Sequence, residues 1–437
     1  MDSYDVIVIG GGPAGATAAT LVAQHGHRVL LLERAPEARF KIGESLMPAT
    51  WSTFERLGVL PKLAKSHFPR KYSVQFYGRS GKASVPFYFQ ETDPHERSVT
   101  WQVLRSEFDA LMLDNAREHG VEVRRGAAVK DVLFDGERAV GVRADLGKGS
   151  IDGGGVREIP CKVVVDATGR SAFLGRKLGL MRPDPELRKA AIFSHFEGAL
   201  RDPGIDEGAT LVLYTGGDDK ENAWFWYIPL PGDRVSVGVV GSIEKLISSR
   251  PGDPQAVFDE EVALCPEAQR RLAGSRQAFP VQVLNDFSYR SSRIAGDGWV
   301  LAGDAFGFLD PIYSSGVLLA LTSGEQAADS IHAALEADDL SAERLGAHGP
   351  RFLAGMEAMR KLVYAFYEKD FSFARFLRRF PDQRIELIHL LVGNVFRPSD
   401  SLFADMGQMA HLPEEVYLED REPESGAPAE AAAGGRR

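Results

Sequence analysis

Two cysteines, Cys161 and Cys265, serve a chain of 437 residues and lie far apart in it. That scarcity excludes a disulfide framework and a cysteine metal cluster, and it points to a reducing compartment. Positive charge is in deficit as well: 51 Lys and Arg face 61 Asp and Glu, a formal net charge of −10. A nucleic-acid footprint spread over the whole surface is thereby excluded. No apolar run approaches the ~20 residues that cross a bilayer. The N-terminus, MDSYDVIVIG, opens acidic and passes straight into a strand pattern, without the basic flank and cleavage region of a signal peptide. A cytoplasmic protein with no membrane and no nucleic-acid partner is the expectation. The ten histidines form no His-x-x-x-His pair and no Gly-x-Ser-x-Gly occurs, so metal hydrolysis and serine-nucleophile chemistry have no support and no metal is expected.

What is present reads as a globular chain, 44% hydrophobic and 26% charged, too long for one hydrophobic core. Residues 4–33 read strand, glycine turn, helix, strand: YDVIVIG, GGPAGATAATLVAQHG, HRVLLLE. RSEFDALMLDNAREHG (105–120) predicts a helix stopped by Gly120, with strands following it. CKVVVDATG (161–169) is a β-branched run of the kind found in buried parallel strands. Between 183 and 284 the pattern changes to spaced strand candidates, which predicts a separate antiparallel sheet. One of them, AWFWYIPL (223–230), places Trp224, Trp226 and Ile228 on one face and Phe225 and Tyr227 on the other. Read alone, it is a buried strand stopped by Pro229. GWVLAGDA from 298 returns to a buried strand, SGVLLALTSGEQAADSIHAALEA reads as a long helix, and the last residues are a Pro/Ala/Gly/Glu tail.

Gly10-x-Gly12-x-x-Gly15 falls between a strand and a helix, and Glu33 closes the next strand 18 residues beyond Gly15. Gly10 permits the tight turn, Gly12 lets backbone approach a pyrophosphate, and Gly15 lets helix and strand pack closely. Glu33 can accept hydrogen bonds from a ribose, and Gly11, Ala14 and Arg34 complete the candidate dinucleotide site.

VIVIGGGPAG, LLER, LRSEFDALML, VVDATG and GWVLAGDAFGFLDP together resemble the FAD-dependent monooxygenases of the aromatic-hydroxylase type, with their halogenase and geranylgeranyl-reductase relatives. The resemblance covers, with gaps, most of residues 4–335. It implies that Asp304 holds the ribityl chain of FAD, that Arg105 lies near the flavin or pyrophosphate, and that Val129 presents backbone to the adenine. The fold class is therefore α/β: a discontinuous Rossmann-type FAD-binding domain (1–72, 101–182, 285–335) with an inserted antiparallel substrate-domain sheet (73–100, 183–284). A C-terminal helical region (336–418) and a disordered tail (419–437) are expected after it.

Within that superfamily IGESLMPAT (42–50), FPRKY (68–72), WFWYIP and FLDPIYSSGV (308–317) resemble the flavin-dependent halogenases, in particular those acting on phenols or pyrroles, often on a carrier protein. Tryptophan halogenases carry a glutamate where this loop has Tyr313. The resemblance implies that FADH₂ and O₂ give a flavin hydroperoxide, which a bound chloride or bromide converts to hypohalous acid. Ser315 and Gly316 would offer backbone N–H groups to the halide at a helix start, with Pro311 and Val317 beside the flavin; an ordinary helix cap is the other reading of those serines. Lys71 would deliver the oxidant, by a hydrogen bond from its ammonium or as an N-haloamine from its neutral amine. Trp224 and Trp226 would keep the ring out of direct reach of the hydroperoxide, and Glu44 would shape the passage between flavin and substrate or pair with Lys41.

No second glycine fingerprint follows a strand, which permits a separate NAD(P)H-dependent flavin reductase. The stripe Tyr364, Tyr367, Phe371 reads as core, or else Arg375, Arg378 and Arg379 beside it dock an acidic carrier. The expected activity is halogenation of an electron-rich aromatic in secondary-metabolite biosynthesis. Alternatives are an FAD-dependent aromatic hydroxylase, an isoprenoid reductase, or a flavin-binding assembly partner without turnover.

Overall fold

The computed structural model describes residues 4–147, 155–216, 223–250, 252–285, 287–369 and 371–419. Its central strand, Tyr4–Ile9, lies parallel to Val29–Glu33 on one side and to the second half of Val156–Asp166 on the other. A parallel strand covered on both faces reads as a continuous apolar run, which is why YDVIVI shows no alternation. Across the sheet the order is 295–296, 299–301, 156–166, 4–9, 29–33, 122–125. The chain leaves Ile9 toward one neighbour and returns much later on the other side. The carboxyl end of this strand is therefore a topological switch point, where open α/β sheets hold their ligands. Helix Pro13–Gln24 starts there. Helix Ser315–Glu336 packs along it so closely that a Cβ on Gly324 would stand 2.5 Å from the Ala14 carbonyl oxygen. Val156–Asp166 begins before the apolar run at 161, because its first half pairs antiparallel with Arg138–Asp145.

The second sheet runs 276–277, 189–197, 234–242, 224–230, 210–214, 73–77, 87–88, with 282–285 also beside 189–197. Its junctions are antiparallel except one: Thr210–Tyr214 lies parallel to Ser73–Tyr77. That strand comes from a distant part of the chain, so no hairpin constrains its direction. In Trp224–Leu230, Trp224, Trp226 and Ile228 join the core shared with the first sheet, while Phe225 and Tyr227 join a separate cluster with Val237 and Phe258. Pro229 does not stop this strand; it pairs with Val235 inside it. The neighbour on the other side has already left at Tyr227, so the missing proline N–H faces an edge with no ladder to break.

Helices Gly349–Tyr367, Phe373–Arg379, Arg384–Leu391 and Asp400–Met406 close the C-terminal side. Phe366 packs against Tyr214, Trp224 and Tyr313, which brings this region onto the second sheet. The expected tail lies outside the described residues from 420 onward. Among the described residues no helix is long and apolar enough to cross a membrane.

Candidate active site

One cavity runs from the glycine turn to the tryptophan strand. Gly10 takes φ +106°, and a Cβ there would stand 2.3 Å from the Ala167 carbonyl oxygen; at Gly15 it would stand 2.0 Å from that of Gly10. Gly12 differs. Nothing lies within 4 Å of where its Cβ would be, and that space belongs to the cavity. No side chain caps helix Pro13–Gln24, which leaves its first N–H groups for an anion. Glu33 accepts the N–H of Gly11 and of Ala35, each at 2.7 Å, and lines the cavity beside Arg34. Each carboxylate oxygen keeps a lone pair for a ribose hydroxyl.

Ala14, Val129, Asp304, Pro311 and Val317 line the same cavity. Val129 sits at a register shift in its pairing with Arg138–Asp145, an interruption of the ladder beside the cavity. Burial pushes the Asp304 carboxyl up to about 6 against the pull of Arg105, Arg170 and Lys41. Arg105 makes two hydrogen bonds to Asp109, at 2.9 and 3.2 Å, and one to the Ile42 carbonyl at 2.6 Å. It thereby ties the segment before Glu44 to helix Arg105–Glu118. Lys41 bonds Asp109 at 3.2 Å, so it is not the partner of Glu44. Arg34, Arg39, Lys41, Arg105, Arg125 and Arg170 all line the cavity. Glu33, Glu37, Glu44, Asp109 and Asp304 line it too, and Asp109 pairs with both Lys41 and Arg105, so the cavity is near balance and slightly positive in a chain of net charge −10. Shape, free N–H groups and charge all fit FAD.

Beyond the flavin region, Ser314 holds the left-handed conformation at φ +59° where helix Ser315–Glu336 begins. A non-glycine residue there is strained, and such strain gathers at functional sites. No side-chain hydrogen bond caps the helix, which removes the cap reading of these serines. Ser314, Gly316 and Val317 line the cavity, whereas Ser315 is buried between them and does not line it. Uncapped N–H groups and the helix macrodipole favour an anion here.

Lys71 stands in Arg70–Lys71, a short strand paired with Thr100–Trp101. It is 3% exposed, and its Nζ donates to Ser45 Oγ at 2.8 Å and to the Leu46 carbonyl at 2.9 Å. Ser45 in turn bonds Thr210 Oγ1 at 2.8 Å, and both line the cavity with Lys71 directly behind them. Burial alone lowers the Lys71 ammonium to about 7, so both protonation states are reachable near neutral pH.

Trp224, Trp226 and Ile228 form the facing wall. Trp226 lies over Gly238 and donates to Ser236 Oγ at 3.1 Å. Trp224 Nε1 donates to Tyr367 Oη at 3.0 Å, and Tyr367 donates to Asp310 Oδ2 at 3.0 Å. This chain joins the tryptophan strand, the C-terminal helix and the start of the serine loop. Burial pushes the Asp310 carboxyl up to about 7. Tyr313 Oη donates to the Leu362 carbonyl at 3.2 Å. Glu44 Oε1 lies 2.8 Å from His195 Nε2, with both side chains buried.

Sequence reasoning missed Ser45, Thr210, His195, Asp310 and the extra arginines, and it named Tyr367 only as part of a core stripe. Ser45 and Asp310 stood inside quoted motifs but offered no chemistry by themselves. Tyr367 lies 143 residues from Trp224 and His195 lies 151 from Glu44, with no local pattern to join them.

Residues 3–339 match the family described as an FAD binding domain. The 1H-pyrrole-2-carbonyl peptidyl-carrier-protein chlorinase of Pseudomonas fluorescens is 32% identical over 410 residues, spanning 90% of both chains. The corresponding brominase of Pseudoalteromonas luteoviolacea is 33% identical over 398 residues, spanning 90% of this chain and 93% of its own. The structure of the flavin-dependent brominase Bmp2 superimposes with a TM-score of 0.80 at 30% identity, over 93% of this chain and 98% of that one.

Proposed function

The chain belongs to the flavin-dependent halogenases, and on that premise we propose that it chlorinates or brominates a pyrrole ring held on a peptidyl carrier protein. Two of its relatives are named for that substrate, one with each halogen. Bound reduced flavin supplies hypohalous acid from dioxygen and halide. The oxidant then replaces a ring hydrogen, and water leaves.

The observation that carries this reading is the buried Lys71 Nζ, held by the Leu46 carbonyl and by Ser45 Oγ directly behind the wall that Ser45 gives to a cavity also lined by Gly316 and Trp226. As an ammonium, Lys71 donates a hydrogen bond to the oxidant and leaves its halogen electrophilic. As an amine, near its lowered pKa, it can carry the halogen itself. N–H groups at Ser315 and Gly316 hold the halide. The indoles of Trp224 and Trp226 keep the ring at a distance, so that the small oxidant travels and the ring stays. Glu44, held by His195, fixes the segment that separates flavin from substrate. Asp304, Arg105, Val129 and the glycine turn hold the cofactor. Electrons come from a separate NAD(P)H-dependent flavin reductase, and the enzyme works in the cytoplasm.

The test is mass spectrometry of pyrrolyl carrier protein after incubation with the enzyme, FAD, NADH, a flavin reductase and either chloride or bromide. A halogen-shifted product that follows the halide supplied is expected. Lys71→Ala should retain FAD and lose at least about a hundredfold in product. An oxygen-shifted product independent of halide would instead make the chain an aromatic hydroxylase.

A further inference from the structure

The turn after helix Pro13–Gln24 supplies His25 and His27, and the last turns of helix Ser315–Glu336 supply His332 and Glu336. His27 Nε2 is hydrogen-bonded to His332 Nδ1 at 3.0 Å, through a proton that an ion would displace, and one ligand atom from each of His27, His332 and Glu336 lies within 4.8 Å of the other two. We propose that His27, His332 and Glu336 bind a divalent transition-metal ion of the zinc class, which clamps the turn at His27 to the end of the long helix.

Two imidazoles and a carboxylate are a recurrent zinc ligand set, with the fourth position open to water. Tetrahedral bonds of ~2.0–2.1 Å put neighbouring ligand atoms about 3.3 Å apart, so the two nitrogens need to separate by only a few tenths of an ångström. His332 and Glu336 are four residues apart and share one face of the helix. His25 stacks on His332, with ring centroids 4.0 Å apart and planes 5° apart, and so fixes the orientation of that imidazole. His25 is itself positioned by Asp329 at 3.7 Å, and Asp329 by an ion pair to Arg56. Glu336 is exposed and makes no salt bridge among the described residues, so its carboxylate swings toward an ion without leaving a partner.

His27 and His332 are 305 positions apart in the chain, so an ion shared by them is a cross-link between distant segments. It would join the C-terminal ends of the two helices whose N-termini face phosphate and halide in the proposed function. His332 lies 16 residues along the helix from Gly316, roughly 24 Å at 1.5 Å per residue. The ion therefore acts on stability and not on halogen transfer.

The test uses the full-length FAD-loaded protein, stripped with a chelator and titrated with Zn²⁺, then with Co²⁺ as a visible probe of coordination. Uptake of one Zn²⁺ is expected, with a higher melting temperature, Co²⁺ bands of a low-coordinate site and unchanged turnover. His27→Ala and His332→Ala should abolish uptake and the thermal shift, and Glu336→Gln should weaken binding about 10–100-fold. Retained FAD absorbance certifies that each variant is folded. Glu336 is exposed, so its variant reads the site even where a histidine variant fails to fold. Absence of stoichiometric uptake by the parent protein, or uptake unaltered in the folded variants, overturns the proposal. Neither result bears on halogenation, which is measured separately by product mass.

Discussion

Lys71 is a cation in a place that disfavours one: its side chain is buried, and its Nζ meets a hydroxyl, a carbonyl and the face of the Phe89 ring, with no carboxylate bonded to it. A lysine ordinarily titrates near 10.5, and this one near 7. Between those values the unfolded chain holds a proton that the folded chain has shed. Stability therefore rises with pH from about 7 to about 10.5, and the penalty is felt in full below that window. At ~1.36 kcal/mol per pKa unit, the cost near neutral pH is several kcal/mol. Lys71→Met should consequently raise the urea midpoint near pH 7 while abolishing product, and its advantage should shrink toward about pH 10. A midpoint at or below the parent's at neutral pH would show that Lys71 is not a burdened cation. Tyr367 makes a second residue-scale claim. Its hydroxyl is donated to by Trp224 and donates to Asp310, so Tyr367→Phe strands two buried polar groups at a cost of about 1–3 kcal/mol each. In steady-state kinetics the halide KM should rise about tenfold, because Asp310 opens the loop that carries Gly316, while FAD affinity measured by fluorescence stays unchanged. A rise in KM for FAD alone would place the network elsewhere.

At the scale of elements, the glycine turn separates packing from binding. A Cβ at Gly15 would collide with the Gly10 carbonyl, whereas one at Gly12 meets only the cavity. Gly15→Ala should therefore destabilise the apo-protein, and Gly12→Ala should leave its melting temperature within about 1 °C while weakening FAD by at least tenfold. Equal FAD affinity in Gly12→Ala would mean that the pyrophosphate does not cross that turn. This element was legible in sequence because its chemistry is local: strand, turn, helix and Glu33 occupy thirty consecutive residues. The alternation of Trp224, Trp226 and Ile228 against Phe225 and Tyr227 was legible for the same reason, since a strand's period of two is written in the strand itself. Pro229 was misread because the tolerance of a proline depends on whether a second strand is alongside, and that neighbour, Thr210–Tyr214, is encoded elsewhere. The histidine cluster escaped likewise: its spacing is His-x-His in one turn and His-x-x-x-Glu on a helix some three hundred residues later.

Over the whole molecule, charge is unevenly placed. On the proposed function an acidic carrier would have to reach the cavity of a chain whose net charge of −10 opposes its approach. A local basic edge resolves that conflict, since attraction near the mouth orients an encounter that net repulsion leaves unguided. Helix Phe373–Arg379 has the required two-sidedness. Its inner face sets Phe373 against Phe76 and Tyr313, beside the substrate wall, while Arg375, Arg378 and Arg379 are exposed on its outer face. A carrier seated there would present its arm to the aromatic wall that holds Trp224. Arg378→Glu combined with Arg379→Glu should therefore raise KM for the pyrrolyl carrier about tenfold or more, with kcat at saturating carrier unchanged. The effect should weaken as salt is raised and the Debye length falls below ~10 Å. Flavin binding supplies the internal control, because neither arginine lines the cofactor cavity. If the double variant keeps the parent's KM at low salt, the carrier docks on another face and this helix serves only to close the substrate wall.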